Sequence, residues 1–441
     1  MKNSIEKFKT VFPEKSLIVA LHSKSVSHAL EWAEIAYQNG AHGVAVVTHF
    51  IESTEWLDAI EKIKEKYPYH KAILNIIQLD PKLIFEAMTL PNTIFPDGIW
   101  TDKSDWIKPG NENWADMTLK IQEEMWREWL YFGWLDFKYQ GPLAESDYPK
   151  AIAQAKKYLD VITTSGPGTG EAADVEKVKK IKNLAWDFPF ALASGVDAHN
   201  IKGYIEYVDA FIVATGISKD YYNLDPEKVL ELSTIIYLYN RKMARKRFEQ
   251  EILKKYGVNS VTELDNYIRN NEIINIWGRP EAQEIEKKLS NLYPSPFTLD
   301  GVEYASVEAF RMYIKYPEWY ANRESIRELS SLKAKMSWDD SKFIRSFKYH
   351  WEEIEMWSEK HHALLKMALR AKLQQNPDIL KDLLETGDKK IIHIIFDKDR
   401  TSLSPDSKTI PWEKFAQLYT ELRDEFKYRK NVNYQISFLF I

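Results

Sequence analysis

The chain has 441 residues, of which 44% are hydrophobic and 28% are charged, and its formal net charge is −5. This length and composition are typical of a globular protein with two or three domains. The chain contains no cysteine, which excludes disulfides, thiolate metal sites and a cysteine nucleophile and is consistent with a reducing compartment.

The distribution of charge and apolar residues predicts a cytoplasmic protein. The opening segment MKNSIEKFKTVFPEKS lacks the apolar core of a secretory signal, and no run of 18 apolar residues predicts a membrane span. The acidic balance argues against a broad nucleic-acid surface. One basic run, Arg241 to Arg247, is interpreted as a solvated helix face.

Eight short apolar segments alternate with helix-length stretches through the first half of the chain. The segments are LIVALH (17–22), GVAVVTH (43–49), KAILNII (71–77), GIWTD (98–102), WLDFKYQ (134–140), DVITTS (160–165), FALASG (190–195) and AFIVAT (210–215). Near-continuous apolar runs are typical of parallel strands buried on both faces. The count predicts an α/β fold with a (β/α)8 TIM barrel over residues 1–240. A doubly wound open sheet is the alternative.

The loops that follow the last three segments are rich in glycine and indicate an anion site. The candidate ligand-binding residues there are Ser165, Gly166, Gly168, Gly170, Gly195 and Gly216. Glycines let backbone N–H groups approach a phosphate, and barrels often bind phosphate at this position. The alternative is that these glycines only form tight turns.

The fifth segment, WLDFKYQ, supplies candidate catalytic residues. Because side chains alternate along a strand, Asp136, Lys138 and Gln140 are expected on one face, pointing into the barrel. Lys138 would neutralise a phosphate or act as an amine nucleophile. His22, at the end of the first strand, is a further candidate ligand-binding residue.

Two long segments of the first half carry a family resemblance. They are TTSGPGTGEAADVEKVKKIK and ALASGVDAHNIKGYIEYVDAFIVATGISKD. Together with the opening IVALH and the FK of the fifth strand, they resemble the BtpA/SgcQ family of barrel proteins. The resemblance implies the barrel fold and a ligand pocket rather than a defined reaction.

The segment 241–272 is expected to be a helical linker, and 273–441 a second, mainly helical α+β domain. Two motifs of this domain, LSNLYPSPFTLDGVEYASVEAFRMYIK (289–315) and MWSEKHHALLKMALRAKLQQNPDILKDLLETGDKKIIHII (356–395), resemble the NADAR family, which includes YbiA. The resemblance implies cleavage of N-glycosidic bonds.

The NADAR resemblance assigns roles to five residues. It places Glu308 at the motif glutamate, where a carboxylate would stabilise an oxocarbenium-like centre. It implies that Lys315 binds phosphate or attacks an opened sugar, that Trp357 stacks on a base, and that Asn291 binds the ligand. Asp397, with Asp399 as the alternative, is the candidate for a late acidic residue.

The two halves together predict a hydrolase of N-glycosidase type that acts on an ADP-ribose- or phosphoribosyl-linked base. The barrel would bind or process the phosphorylated sugar, and a fused chain would raise the local concentration of a shared intermediate. No cofactor and no metal are expected. Ala309, which stands where the family usually has histidine, and the absence of the family's WGxG loop keep a non-catalytic nucleotide-binding protein open. Removal of ADP-ribose from nucleic acid is a third alternative.

Overall fold

The computed structural model divides the chain into two compact units, Met1–Met243 and Ala244–Ile441. The residues it describes are 4–12, 14–47, 55–77, 95–101, 116, 129–138, 143–276, 282–316, 323–329, 333–334, 346–350, 352–356, 358–397, 399–403 and 412–438. In this part of the chain, no helix is both long and apolar enough to cross a membrane.

The first unit is a closed barrel of eight parallel strands. The strands are β1 (Ser16–Leu21), β2 (Gly43–Val47), β3 (Lys71–Ile76), β4 (Gly98–Thr101), β5 (Leu130–Trp134), β6 (Val161–Ser165), β7 (Phe190–Ala193) and β8 (Ala210–Val213). β1 pairs with β2, with Ile18 opposite Gly43, and also with β8, with Ser16 opposite Ala210. This second pairing closes the sheet, so the predicted TIM barrel is confirmed and the open-sheet alternative is wrong.

Helices surround the barrel and cap one end of it. They are α1 (Ser4–Val11), α2 (Val26–Gln38), α3 (Glu55–Lys66), α4 (Tyr148–Tyr158), α5 (Val175–Ala185) and α6 (Pro226–Tyr256). A hairpin of β9 (Ser218–Asp220) and β10 (Asn223–Leu224) follows β8. Phe8 and Phe12 pack into the same cluster as interior side chains such as Ile18 and Phe132. Because α1 thereby fills the end where the strands begin, the opening lies at their carboxyl ends.

The fifth strand differs from its prediction. It spans Leu130–Trp134 rather than 134–140, and Asp136 adopts a left-handed backbone with φ of 49°. This turn breaks the expected alternation: Phe137 packs in the interior cluster, whereas Leu135 packs among the helices. The common inward face predicted for Asp136 and Lys138 is therefore wrong, and Gln140 lies outside the described residues.

The second unit combines helices with short two-stranded sheets. After the end of α6, the helices are α7 (Val261–Asn270), α8 (Glu284–Leu289), α9 (Val307–Tyr313), α10 (Arg323–Ile326), α11 (Glu359–Gln375), α12 (Pro377–Glu385) and α13 (Trp412–Phe438). The strand pairs are β11 (Ile274–Asn275) with β16 (Ile391–Ile392), β12 (Phe297–Leu299) with β13 (Val302–Tyr304), and β14 (Ser346–Tyr349) with β15 (Glu352–Glu355).

Two apolar clusters hold the second unit together. In the larger one, Leu365 and Leu369 of α11 share a core with Phe310 of α9 and Tyr419 of α13. In the other, Ile252 of α6 and Leu264 of α7 share a core with residues near β16 such as Phe396. The segment expected as a linker, 241–272, thus contributes buried side chains to this unit.

Lys372 of α11 is fully buried in this unit without a carboxylate among its hydrogen-bond partners. Its Nζ donates to the main-chain oxygens of Lys288 at 2.7 Å and Ser290 at 3.0 Å, and burial lowers its pKa to about 7. An unfolded lysine titrates near pH 10.4, so between these values the unfolded chain binds a proton that the folded chain lacks. The free energy of unfolding therefore increases with pH over that window.

We expect the increase to reach about 1 kcal/mol per pH unit between pH 7.5 and 9.5, measured by urea unfolding. Lys372→Met removes the titrating group, so the unfolding free energy of the variant should lack this increase with pH. The loss of the donor to two main-chain carbonyls does not alter that expectation. Parallel pH profiles for the parent and the variant would contradict the assignment.

Candidate functional site

A pocket of about 380 Å³ opens at the carboxyl ends of the barrel strands. Small side chains, Ala20, Ala193 and Ala214, line it where larger ones would fill the barrel. This volume suits a small ligand, since ligand pockets generally measure about 300–1,000 Å³. Because the pocket opens at the carboxyl ends of the strands, it lies on the face where barrel enzymes carry their active sites.

Aromatic rings form one part of the pocket wall. Trp100 and Trp134 lie with their ring centroids 5.8 Å apart, and Phe137 packs against Trp134. The His22 ring lies 5.2 Å from that of Tyr221, which follows β9. All five side chains line the pocket. Flat apolar surfaces of this kind bind the ring of a ligand by stacking.

Polar groups from the last loops form the remaining wall. Lys138 follows β5, Thr169 follows β6, Ser194 follows β7 and Thr215 follows β8, and all four line the pocket. Lys138 Nζ donates to Thr169 Oγ1 at 3.1 Å. Asn75 completes this set from β3, and its Nδ2 donates to the main-chain oxygen of Trp100 at 2.9 Å. An ammonium group next to hydroxyls is a suitable arrangement for an anion.

Ser165 positions the lysine rather than lining the pocket. Its Oγ accepts a hydrogen bond of 3.0 Å from the backbone N–H of Lys138 and donates one of 2.8 Å to the oxygen of Gly166. Lys177 of α5 adds bonds to the main-chain oxygens of Asp136 and Ser165, at 2.6 and 3.1 Å. These contacts join the loops after β5 and β6, so the backbone of Lys138 is held in place.

The glycines predicted to bind an anion also let the mouth loops pack closely against one another. A Cβ at Gly195 would lie 2.0 Å from the Glu171 oxygen, and one at Gly216 would lie 2.0 Å from the Val196 oxygen. At Gly166 a Cβ would lie 2.1 Å from the same Glu171 oxygen. At Gly168 a Cβ would lie 2.5 Å from the Glu171 carboxylate, a movable side-chain end, and Gly170 donates its N–H to Ser194 Oγ at 2.9 Å. Their close approach carries Thr169, Ser194 and Thr215 to the pocket.

Asp136 lies between the mouth loops and the helices. Its carboxylate accepts hydrogen bonds from Tyr148 Oη at 2.5 Å and from the backbone N–H of Leu143 at 3.0 Å, and it pairs with Lys177 at 3.1 Å. Burial opposes ionisation, but these donors outweigh it and hold the pKa of Asp136 below its usual value. Its partners therefore indicate a structural role as an alternative to the predicted catalytic one.

In the second unit, α9 presents a buried ion pair. Arg311 Nη1 donates to Glu308 Oε2 at 2.7 Å, and each side chain is only 7% exposed. The backbone N–H of Glu308 donates to the oxygen of Asn291 at 3.1 Å. Among the described residues, Asn291 Oδ1 and Arg311 Nε are buried without a hydrogen-bond partner. Unsatisfied buried polar atoms are rare and indicate a ligand or water position.

Two further titratable groups belong to this cluster. Burial, and then the charge of Arg311, lower the pKa of Lys315 to about 8, although Glu308 acts in the opposite direction. Burial, followed by the charges of Arg311 and Lys315, lowers the pKa of His361 to about 3. The structure thus brings Asn291, Glu308 and Lys315 together and adds Arg311 and His361, to which the sequence analysis assigned no role. Arg311 lies three residues after the motif glutamate, a spacing visible in the sequence that places both side chains on one helix face. His361 lies on the facing helix α11, so its place in the cluster becomes apparent only in the fold.

Asp397, another predicted residue of this unit, has partners other than the members of the cluster. Asp397 pairs with Arg245 and accepts from Ser402 Oγ at 2.5 Å, next to the bridge between Phe396 and Leu403. Trp357 lies outside the described residues. In the described ranges, no group of three or more His, Asp or Glu side chains is arranged to hold a metal ion.

Comparisons with known proteins agree with the barrel assignment. Residues 111–237, which include β5 to β8, match the model of the BtpA family, in agreement with the resemblance seen in the same strands. A segment of 61 residues is 39% identical to MJ1115, an uncharacterized protein of Methanocaldococcus jannaschii. It covers 14% of this chain and 23% of that relative, so less than a quarter of the relative is matched.

Solved barrel structures are similar at low identity. Orotidine 5′-monophosphate decarboxylase from Methanocaldococcus jannaschii, complexed with the inhibitor BMP, is 19% identical with a TM-score of 0.40 and covers 51% of this chain and 99% of its own. (S)-3-O-geranylgeranylglyceryl phosphate synthase from Thermoplasma acidophilum, in complex with sn-glycerol-1-phosphate, is 16% identical with a TM-score of 0.39, covering 54% and 98%.

Proposed function

We propose that the barrel binds a small phosphorylated ligand of sugar type, with Lys138 holding its phosphate and the aromatic wall holding its apolar or ring-shaped part. The observation that carries this proposal is the convergence of Lys138 with three hydroxyl side chains, from the loops after β5 to β8, at one pocket. Each hydroxyl can donate to a phosphate oxygen, and a lysine supplies a compact charge.

The supporting contacts explain how Lys138 would act. Its backbone is held by Ser165 and its Nζ already reaches Thr169, so little side-chain conformational freedom is lost when an anion binds. An amine at this place can also add to a carbonyl carbon of the ligand and form an imine with loss of water, which would make the barrel catalytic. Phosphate binding is required whether the barrel only binds the ligand or also reacts with it.

Replacing Lys138 with methionine should weaken the binding of ribose 5-phosphate by about tenfold to a hundredfold, because a charge-assisted hydrogen bond contributes about 1.5–3 kcal/mol. Isothermal titration calorimetry with ribose 5-phosphate and with ribose measures the effect. Lys219→Met is the matched control, since Lys219 is exposed and does not line the pocket. Equal affinities for the sugar with and without phosphate, or an unchanged affinity in the Lys138 variant, would rule out the proposal.

A second candidate function is favoured by the cluster in the second unit. Glu308 and Arg311 are buried together with the half-buried Lys315 interacting with both, and Asn291 and Arg311 retain unsatisfied polar atoms. A carboxylate in such an environment can stabilise positive charge developing on a sugar ring, while an amine with a pKa of about 8 can bind phosphate or act as a nucleophile. These features support an N-glycosidase acting on an ADP-ribose- or phosphoribosyl-linked base.

Mass spectrometry of reactions with NAD, ADP-ribose, ADP-ribosylated guanosine and phosphoribosylated pyrimidines tests this candidate. Release of a free base by the parent protein and not by Glu308→Gln would support it. Ligand-dependent thermal stabilisation without release would instead support a nucleotide-binding protein. The Lys138→Met variant serves as the control, because a reaction in the second unit should not depend on it.

A further inference from the structure

The outward side of α6 carries apolar side chains that the barrel does not use. Val229, Leu232 and Ile236 on the inward side are fully buried in the barrel core. In contrast, Leu230 is 52% exposed and Leu238 is 55% exposed. A surface helix normally places polar residues on this side, so the exposed leucines suggest a partner.

The exposed residues form a continuous stripe with an internal symmetry. At about 100° per residue, seven side chains lie within about 60° of Thr234 around the helix axis. These residues, all exposed, are Glu227, Leu230, Glu231, Thr234, Tyr237, Leu238 and Arg241, and they are called the α6 stripe below. The stripe is acidic toward its start, apolar around its centre and basic at its end, with the small Thr234 at its midpoint.

This order makes the stripe complementary to itself. When two copies of α6 pack antiparallel about a two-fold axis through Thr234, residues of one copy face residues of the other. A residue three, four or seven positions before Thr234 then faces the residue equally far after Thr234 in the second copy. Leu230 then meets Leu238 of the second copy, Glu231 meets Tyr237, and Glu227 meets Arg241. Isologous contacts of two-fold dimers require such self-complementarity. The central threonine lets the two helices approach closely.

We propose that the α6 stripe binds a second copy of this chain and forms a two-fold dimer. Apolar contacts at the centre supply most of the affinity. The two Glu227–Arg241 pairs favour the antiparallel register, in addition to the interaction that Arg241 makes within its own chain. Four turns of one helix bury less than the roughly 800 Å² per partner of a standard interface. We therefore expect a dissociation constant on the order of micromolar. Two lysines of α6, Lys228 and Lys242, lie beside the α6 stripe and are not part of it.

Sedimentation velocity of the full chain over a range from below to well above micromolar concentration tests the dimer. The 51.7 kDa chain should move from monomer to dimer as concentration rises. Leu238→Glu places a charge in the apolar centre and should weaken association at least tenfold. Leu184→Glu is the matched control, because Leu184 of α5 is also exposed, at 40%, but lies outside the stripe.

Charge reversal tests the register. Glu227→Arg and Arg241→Glu should each weaken association, because like charges then meet across the two-fold axis, and the double variant should restore it. A chain that stays monomeric throughout would overturn the proposal and leave the stripe to a different partner. A dimer that tolerates Leu238→Glu, or a double variant no better than the single ones, would overturn it as well.

Discussion

Replacing Gly195 with alanine is expected to destabilise the barrel by about 3 kcal/mol and to impair the pocket. Gly195 has φ of 66°, where an alanine costs about 1–2 kcal/mol. Its Cβ would also lie 2.0 Å from the main-chain oxygen of Glu171, so backbone must shift, and overpacking costs about 1–3 kcal/mol more. The loop after β6 would move and displace Thr169 from the pocket wall.

Gly257 offers a control for the backbone component alone. It also has φ of 66°, but a Cβ there would meet nothing within 4 Å. Gly257→Ala should therefore cost only about 1 kcal/mol, although it acts on the second unit. Urea unfolding measures both changes, and calorimetric titration with ribose 5-phosphate measures the effect on the pocket. Similar small losses for the two variants would show that the contact between the mouth loops is not rigid.

Replacing Arg311 with methionine should destabilise the second unit by about 3 kcal/mol. The substitution keeps much of the side-chain volume but leaves Glu308, only 7% exposed, without its ion-pair partner. Removing one member of a buried pair strands a charge in a poorly solvating interior, which typically costs about 3–5 kcal/mol. The lower end is expected here because Lys315 also interacts favourably with Glu308.

A double-mutant cycle separates the stranded charge from lost packing. Glu308→Gln combined with Arg311→Met leaves neither charge of the pair and should recover most of the loss in unfolding free energy. Additive losses in the two single variants and the double variant would show that the pair does not interact in solution. In that case the cluster would lose the electrostatic basis of its candidate role.

The glycines of the mouth loops show how far a local pattern can be interpreted. TSGPGTGE and ASGV indicated close approach of backbone at the end of the barrel, and the structure places close approach there. The sequence could not tell which group approaches, because a glycine permits a ligand and a neighbouring loop equally. At Gly195 and Gly216 the approaching groups are main-chain oxygens of other mouth loops.

Strand β5 shows a second limit. The alternation of WLDFKYQ predicts a strand as well as LYFGW does, yet the strand ends at Trp134. The turn at Asp136 depends on donors far along the chain, Tyr148 and Lys177. Such contacts have no signature in a window of seven residues.

The sequence by itself determined the number and order of the barrel strands. Apolar runs of five or six residues separated by helical periodicity can be buried on both faces only in a parallel sheet covered by helices. The sequence also singled out Lys138 and Glu308 as candidate site residues, and the structure places Lys138 in the pocket wall and Glu308 in a buried ion pair. What only the tertiary structure decided is which side chains meet: Lys138 with Thr169, Glu308 with Arg311 near His361, and Asp136 with Lys177 instead of the pocket. Side-chain neighbours across loops and helices depend on the three-dimensional packing of distant segments, whereas strand and helix periods depend on local backbone geometry.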